Sequence, residues 1–274
     1  MAYDGERAMF EAYSRNKYTS TGVIQWMLNN AWPSIIWHLY DFYLRPGGGY
    51  FGAKKSMEAL HPVYGYDDHS IWIVSSQYGD ANGLKLTTKV LNLDMSEKFS
   101  QVDTINAAAD STNKVLMLPD IDGLSSTYFV VLRLEDASGK LVGSNFYWLS
   151  SKPETLDWEK SNWYTTPTSS YADYTALSQL PKVKLNVAQH TERKGSSEDA
   201  ITHVVLENPS KSLAFFVRLK VDKGKGGDEV LPVLWQDNYF SLLPGERREV
   251  TATYRARELG TAQAAVEVSG WNVE

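Results

Sequence analysis

Aromatic rings and side-chain amides are interleaved in one stretch near the start of the sequence, GVIQWMLNNAWPSIIWHLYDFYLRPGGGYFG. Its three tryptophans, Trp26, Trp32 and Trp37, lie close in the chain to Asn29 and Asn30. Indole rings stack on the apolar faces of pyranose rings, and amides exchange hydrogen bonds with sugar hydroxyl groups. A plain hydrophobic core seldom needs this mixture, so the stretch predicts a sugar-binding surface.

The elements that must position these side chains are predicted to alternate between helix and strand. Apolar residues at helical spacing, with Asp4 as the cap, predict a helix over residues 4–18. The apolar run 23–28 predicts a buried strand, because strands covered on both faces show no polar alternation. Two further helices are predicted, over residues 33–43 and 50–59. This rhythm is typical of an α/β unit.

The rest of the chain reads as short strands separated by Gly, Asn, Asp and Ser. The first series of predicted strands comprises residues 63–66, 70–78, 84–93, 99–107, 114–118, 126–135 and 141–149. The second series comprises residues 183–191, 199–207, 212–221, 239–242, 248–255 and 262–268. Such series predict two β-sandwiches.

Between the two series lies a connector rich in Pro, Ser, Thr and Tyr, over residues 150–181. Its Trp158, Trp163 and Tyr164 could form a platform for a sugar. The favoured interpretation is that they pin the connector to a neighbouring domain. Lys54 and Lys55, in the short helix near residue 50, are predicted to lie on a solvated face.

Bulk composition excludes several classes of function. The 274 residues carry a net charge of −6 and no long basic run, so a nucleic-acid partner is not expected. Cysteine is absent and the five histidines are scattered, so we expect neither disulfides nor a metal or organic cofactor. No apolar run is long enough to cross a membrane. Composition does not assign the protein to a cell compartment.

The sequence of residues 22–55 closely resembles the last strand and helix of the catalytic barrel in glycoside hydrolase family 2. The related β-mannosidases carry a Trp-Gln-Leu-Asn-Asp-x-Trp-Pro pattern, where this chain has Trp-Met-Leu-Asn-Asn-Ala-Trp-Pro over residues 26–33. The departures, Met27 and Asn30, favour the branch of exo-β-glucosaminidases and mannosylglycoprotein endo-β-mannosidases. A second stretch, WQDNYFSLLPGERREVTATY over residues 235–254, resembles the C-terminal immunoglobulin-like domain of the same enzymes.

The resemblance implies a mainly β chain, with two immunoglobulin-like sandwiches that follow a helix–strand–helix remnant of a (β/α)₈ barrel. The expected domains are the barrel remnant, the first sandwich, the aromatic connector and the C-terminal sandwich, at residues 1–58, 59–152, 153–181 and 182–274. An apolar strand without its barrel neighbours would be exposed at its edges. We therefore expect residues 1–58 to fold back on the first sandwich or to drive self-association.

The resemblance also implies where a sugar would bind. Trp26 would form a wall of the subsite for the cleaved sugar, and Asn29 and Asn30 would contact its hydroxyl groups. The alternatives are a core tryptophan, and asparagines that cap a helix or form a turn. The two catalytic carboxylates of a retaining glycosidase would precede residue 1, since Glu6 and Glu11 belong to a helix pattern.

The resulting hypothesis is a C-terminal portion of a retaining β-glycoside hydrolase that acts on glucosaminide or mannoside linkages and is inactive alone. Its partners would be a β-linked glucosamine or mannose oligosaccharide and the rest of the parent enzyme, for which secretion and the periplasm are the candidate locations. The alternative is a free-standing β-sandwich module that binds carbohydrate or another partner without catalysis.

Overall fold

The computed structural model describes residues 2–193 and 198–274 as a mainly β chain. Its two α-helices are α1 (Ala2–Arg15) and α2 (Gly48–Ser56). The strands before the connector are β1 (Leu60–Tyr64), β2 (Ser70–Ser75), β3 (Ala81–Asn92), β4 (Glu97–Ala107), β5 (Thr112–Met117), β6 (Thr127–Glu135) and β7 (Leu141–Ser150). The connector holds β8 (Thr155–Leu156) and β9 (Thr168–Ser170). The strands after it are β10 (Asn186–Arg193), β11 (Asp199–Glu207), β12 (Ala214–Lys223), β13 (Leu234–Trp235), β14 (Phe240–Leu242), β15 (Arg247–Arg255) and β16 (Ala264–Ser269).

The first compact unit comprises residues 15–17 and 58–180. Two antiparallel sheets, ordered β1-β2-β5 and β4-β3-β6-β7, form the first sandwich. Alternate residues of each strand point to the same face of the sheet, and those that face the other sheet form the buried core. The fully buried members of this core include Ile71, Leu86, Val130, Leu132 and Tyr147.

A buried polar network ties one strand of each sheet together inside this core. The Tyr147 hydroxyl accepts hydrogen bonds from the Tyr64 amide at 3.0 Å and from Asn145 Nδ2 at 2.6 Å. Asn145 Nδ2 also lies 3.2 Å from the Pro62 carbonyl oxygen. Buried polar groups of this kind need such partners, because an unpaired one would cost about 1–3 kcal/mol.

The second compact unit comprises residues 1–14, 18–57 and 181–274. Its sheets, ordered β10-β11-β15-β13 and β14-β12-β16, form the second sandwich. The Gln189 side chain lies along the outer edge of β16: its Nε2 donates to the Ala264 carbonyl at 2.9 Å and its Oε1 accepts from the Val266 amide at 2.6 Å. The amide side chain thereby takes the place of a further strand.

The two helices belong to this second unit. Tyr3 of α1 packs edge-on against Phe216 with ring centroids 5.5 Å apart, and Phe51 of α2 lies 5.7 Å from the Tyr239 ring. The expectation that residues 1–58 fold back on the first sandwich is therefore wrong for most of this stretch. Aromatic residues of the second sandwich supply the apolar surface that these helices bury.

Two predicted elements of the barrel remnant are absent, which corrects the helix–strand–helix expectation. Residues 23–28 form no strand, because a strand requires a ladder of neighbouring backbone groups and the described part of this chain supplies only an isolated contact at the end of this run, from the Tyr40 amide to the Leu28 carbonyl. Residues 33–43 form turns instead of a helix. The Asp41 carboxylate accepts hydrogen bonds from the amides of Tyr43 and Arg45, at 2.8 and 2.9 Å, and such a local turn competes with a helix.

The other predicted elements are present, with shifts of a few residues at their ends. The helices predicted over 4–18 and 50–59 correspond to α1 and α2, and both series of strands are found. The short strands β8, β9 and β13 were not predicted. The prediction that aromatic rings pin the connector to a neighbouring domain is wrong for the largest of them, because Trp158, Trp163 and Tyr164 are exposed.

Close contact of the two helices depends on a glycine of α2. A Cβ at Gly52 would overlap the Tyr3 carbonyl oxygen of α1, whereas a Cβ at Gly5 of α1 would meet nothing within 4 Å. We expect Gly52→Ala to lower the free energy of unfolding by about 1–3 kcal/mol through overpacking. Gly5→Ala, the matched control, should be neutral or should stabilise by up to about 1 kcal/mol through helix propensity. Urea denaturation of both variants tests this, and equal stability of the two would contradict it.

A polar cluster near the start of β2 gives the first sandwich a pH dependence. The Asp68 carboxylate accepts hydrogen bonds from Lys114 Nζ at 2.7 Å and from the Ser70 amide and hydroxyl group. These bonds, led by that of Lys114, hold the pKa of Asp68 below its usual range. Because the folded pKa is depressed, this stabilisation is present above about pH 4 and is lost as the pH falls toward the folded value.

We expect Asp68→Asn to lower the free energy of unfolding at pH 7 by about 1 kcal/mol, a value that allows for solvent screening of this partly exposed group. The difference from the parent chain should shrink as the pH falls below about 4. Denaturation curves at pH 7 and pH 3 measure both effects, and Asp120→Asn, at an exposed carboxylate of the same unit, is the control. A constant difference at both pH values would show that the ionised form of Asp68 is not what stabilises.

Candidate functional site

The candidate site lies in the chain between α1 and α2, over residues 22–44, here called the aromatic segment. An isolated parallel bridge between Asn29 and Tyr40, in which the Tyr40 amide donates to the Leu28 carbonyl at 2.9 Å, holds its arms side by side. Just beyond the segment, the Gly47 amide donates to the Leu39 carbonyl at 3.0 Å. Turns and single bridges thus replace the ladder that a strand would have.

Trp26 presents its ring to solvent. The side chain is 69% exposed, so the alternative of a core tryptophan is wrong for the described chain. The Trp26 carbonyl accepts a hydrogen bond from Trp37 Nε1, and Gln25 Nε2 donates to the Trp37 carbonyl at 3.1 Å. The peptide bond between Trp26 and Met27 is cis. The contacts with Trp37 and Gln25 hold this part of the backbone, while the Trp26 ring remains open to a ligand.

The two asparagines differ in their surroundings. Asn29 is exposed, and its Nδ2 lies 3.4 Å from the Asn30 carbonyl oxygen. Asn30 is only 7% exposed, and its Oδ1 accepts from the Ser34 hydroxyl at 3.1 Å. Helix capping is excluded for both, because no helix follows them before Gly48. Turn formation describes Asn30 well, whereas the exposed amide of Asn29 is open to a ligand.

An arginine that sequence reasoning did not single out anchors the end of the segment to the second sandwich. Arg45 Nη2 lies 2.6 Å from Glu229 Oε2, and its Nη1 lies 2.8 Å from Asp41 Oδ2. The hydrogen bond to Glu229 is the main cause that raises the pKa of Arg45, so the guanidinium stays charged. The only local signal was the turn that Pro46 and the following glycines predict.

A second anchor lies in α2. Lys54 is exposed, as predicted for a solvated helix face, and its Nζ also donates to the Trp235 carbonyl at 2.8 Å. The ammonium thereby ties α2, which follows the aromatic segment, to β13. A single sequence cannot reveal this contact, because the partner is a backbone group far along the chain.

The aromatic segment exposes a broad apolar face. Its large exposed hydrophobic residues are Ile24, Trp26, Met27, Leu28, Trp32, Ile35, Ile36, Trp37, Phe42, Tyr43 and Leu44. So many exposed large apolar side chains within one short segment point to a site of interaction with another molecule or another part of a protein. The segment therefore combines two features: rings suited to a sugar, and apolar surface suited to further protein.

One pair of carboxylates elsewhere in the second sandwich resembles an acid–base pair. Burial raises the pKa of Asp222, and a hydrogen bond from Lys220 lowers the pKa of Glu267. Such divergence is typical of catalytic acids and bases. Here, however, Lys220 Nζ lies 2.9 Å from Glu267 and 3.9 Å from Asp222, and its charge balances that of Glu267. The arrangement is an ion cluster of strands β12 and β16.

Metal and membrane signals are lacking within residues 2–193 and 198–274. No group of three or more His, Asp or Glu side chains there could hold a metal ion. Neither α1 nor α2 has the length and apolar character that a membrane-spanning helix requires.

Comparison with known proteins identifies both sandwiches. Residues 163–273 match the family described as the exo-β-D-glucosaminidase Ig-fold domain, and residues 67–152 match the mannosidase Ig/CBM-like domain. An exo-β-D-glucosaminidase of Streptomyces avermitilis is 42% identical over 98% of this chain, and one of Amycolatopsis orientalis is 41% identical over 98%. The solved structure of the Amycolatopsis orientalis exo-chitosanase CsxA superposes on 99% of this chain with a TM-score of 0.94 and 40% identity.

These relatives are much longer than this chain. The chain spans 31% of the Streptomyces protein and 27% of the Amycolatopsis protein, and it covers 33% of the CsxA structure. CsxA has also been solved in complex with PNP-β-D-glucosamine. The similarity extends across both sandwiches and the aromatic segment alike. The chain therefore carries Ig-fold domains of the type found in the exo-β-D-glucosaminidases of glycoside hydrolase family 2, and it corresponds to a C-terminal part of such longer proteins.

Proposed function

We propose that this chain is the part of a retaining exo-β-D-glucosaminidase that completes the sugar subsite and supplies two structural sandwiches. The observation that carries the proposal is the aromatic segment. Its backbone is held by Arg45 and by internal hydrogen bonds, while Trp26 and Asn29 face solvent. Such a surface is costly to leave uncovered in water, and it suits a bound sugar together with neighbouring protein.

The proposed sugar contacts are Trp26, Asn29 and Asn30. The Trp26 ring stacks on the apolar face of a glucosamine unit and forms one wall of the subsite. Asn29 and Asn30 exchange hydrogen bonds with ring hydroxyl groups through their amides. Because Ser34 already holds the Asn30 oxygen, the amide nitrogen of Asn30 is the group that we assign to the sugar.

Residues 23–28 are proposed as the last strand of a (β/α)₈ barrel, completed only by pairing with the rest of the parent enzyme. Their apolar sequence and exposed surroundings support this, since a barrel strand pairs on both sides. The remainder of the parent chain is thus the proposed protein partner. A free-standing module that binds carbohydrate, the alternative function, would leave most of the apolar face without an occupant.

The proposed reaction is retaining hydrolysis of a β-glucosaminide, with a carboxylic acid and a carboxylate nucleophile. We assign both to a part of the parent enzyme outside this chain. Glu6 and Glu11 do not suit the roles: both lie on α1, and Glu11 is only 2% exposed. Glucosaminide is favoured over mannoside, because the relatives at 41–42% identity are glucosaminidases, whereas a mannosylglycoprotein endo-β-mannosidase of Lilium longiflorum is 23% identical.

The subsite assignment is testable in a chimera. This chain replaces the matching third of the Amycolatopsis orientalis enzyme, and the chimera should hydrolyse PNP-β-D-glucosamine. Trp26→Ala in the chimera should lower kcat/KM about ten- to a hundredfold, as expected from the loss of one large apolar contact. Tyr78→Ala, at a fully exposed ring of the first sandwich, is the control and should leave kcat/KM unchanged. A Trp26 variant as active as the control would remove Trp26 from the subsite.

Inactivity of the isolated chain is a second expectation. Without the two carboxylates of the parent enzyme, the purified chain should release nitrophenol from PNP-β-D-glucosamine no faster than buffer does. A double variant, Glu6→Gln with Glu11→Gln, is measured beside it. Turnover by the isolated chain that disappears in this variant would move the catalytic pair into α1.

A further inference from the structure

The second set of exposed rings lies in the connector, in the loop of residues 157–167 between β8 and β9, here called the hairpin loop. Trp158 is 71% exposed, Trp163 is 91% exposed and Tyr164 is 88% exposed. These are large apolar surfaces held in water within a few residues of one another. The sugar subsite proposed above does not use them.

The backbone of the hairpin loop is ordered by its own hydrogen bonds. Asn162 Oδ1 accepts from the amides of Tyr164 and Thr165 at 2.8 and 3.1 Å, and the Asn162 amide donates to the Thr165 carbonyl at 2.9 Å. At the base of the loop, the Asp157 amide donates to the Pro167 carbonyl at 2.8 Å. The backbone is thus fixed before any ligand arrives, which lowers the entropic cost of binding.

The side chains at the start of the loop are fixed in the same way. Asp157 Oδ2 lies 2.6 Å from Lys160 Nζ, and the Ser161 and Thr166 hydroxyl groups are 2.8 Å apart. These polar side chains therefore bond to one another, and the exposed aromatic rings form the surface that is available to a ligand. Exposed aromatic rings on an ordered backbone are suited to the faces of pyranose rings.

We propose that the hairpin loop is a second carbohydrate platform, which binds a glucosamine unit of a β-linked glucosamine oligosaccharide through Trp163 and Tyr164. The sugar face stacks on the indole, and the protonated amine of glucosamine is drawn to the aromatic rings, which attract cations. The choice of glucosamine rests on the proposed function of the chain as part of a glucosaminidase.

Charge supports a cationic ligand. The chain carries a net charge of −6, with a sequence isoelectric point near 5.5. Above that pH it is negative and attracts a polycationic sugar. In and beside the loop, Glu154 and Glu159 are exposed and Asp157 is half-buried. These three carboxylates outnumber the two exposed ammonium groups of Lys152 and Lys160. Neutral polysaccharides such as mannose or N-acetylglucosamine oligomers gain nothing from this field.

The test is isothermal titration calorimetry of the full chain with a glucosamine hexamer at pH 6.5. Trp163→Ala with Tyr164→Ala should lower the association constant about tenfold, which corresponds to the loss of stacking and cation–π contacts at an exposed site. Both side chains project into solvent, and the backbone amide of Tyr164 keeps its bond to Asn162, so the loop should stay folded in this variant. Circular dichroism checks that it does.

Matched variants separate this platform from the subsite of the aromatic segment. Tyr78→Ala should bind as the parent chain does, and the loop variant should lower the association constant by the same factor in a Trp26→Ala background as in the parent chain. The acetylated hexamer, which lacks the charge, should bind more weakly than the glucosamine hexamer.

Several results would overturn the proposal. One is an unchanged association constant in the loop variant. Another is loss of binding in the Trp26 variant alone, which would leave the subsite proposal intact. A third is a loop variant whose self-association, measured by light scattering, falls while sugar binding is unchanged; the rings would then form a protein contact.

Discussion

Backbone hydrogen bonds between antiparallel strands hold both sandwiches, and the aromatic segment lacks such a ladder. Every peptide group needs a partner, and a segment without neighbouring strands must find partners in turns, single bridges and side chains. Residues 22–44 do so through the Tyr40–Leu28 bond, the Asp41 turn and the Trp37–Trp26 contact. The conformation of the segment, and with it the candidate site, follows from this constraint.

Hydrogen bonds and ion pairs of side chains hold the aromatic segment in place, where a strand would be held by a ladder of backbone hydrogen bonds. Arg45 holds the end of the aromatic segment to Glu229, and Lys54 holds α2 to the Trp235 carbonyl. Gly52 permits the close approach of α2 to α1, because any side chain there would meet the Tyr3 carbonyl. The second sandwich is therefore more than a spacer: its surface fixes where the aromatic segment begins and ends.

The sandwiches were predictable from sequence because their signals are local. Alternation within β3 or β12, and turn residues between strands, depend only on nearby residues, and both strands were found close to their predicted bounds. The run 23–28 failed as a strand for the opposite reason. An apolar run of this kind becomes a strand only if other strands pair with it, and the sequence of the run does not show whether such strands are present.

The candidate site shows the same division. The types of Trp26 and Asn29 were informative, because an indole and an amide so close together are unusual in a core, and both side chains are exposed. The contacts of Arg45 and Lys54 were not predictable, since each joins residues nearly two hundred positions apart. The prediction that Trp163 packs against a neighbouring domain was wrong, because an aromatic residue in a connector can be either buried in a contact or exposed to solvent.

The edge of β16 has a consequence for how copies of this protein behave toward each other. An unpaired edge strand is a template on which a second molecule can add a strand. Gln189 occupies two of the edge positions of β16 with a side-chain amide, which cannot be extended into a further strand. Gln189 thus leaves fewer backbone groups at this border of the second sandwich open to pairing with a strand from another copy of the protein.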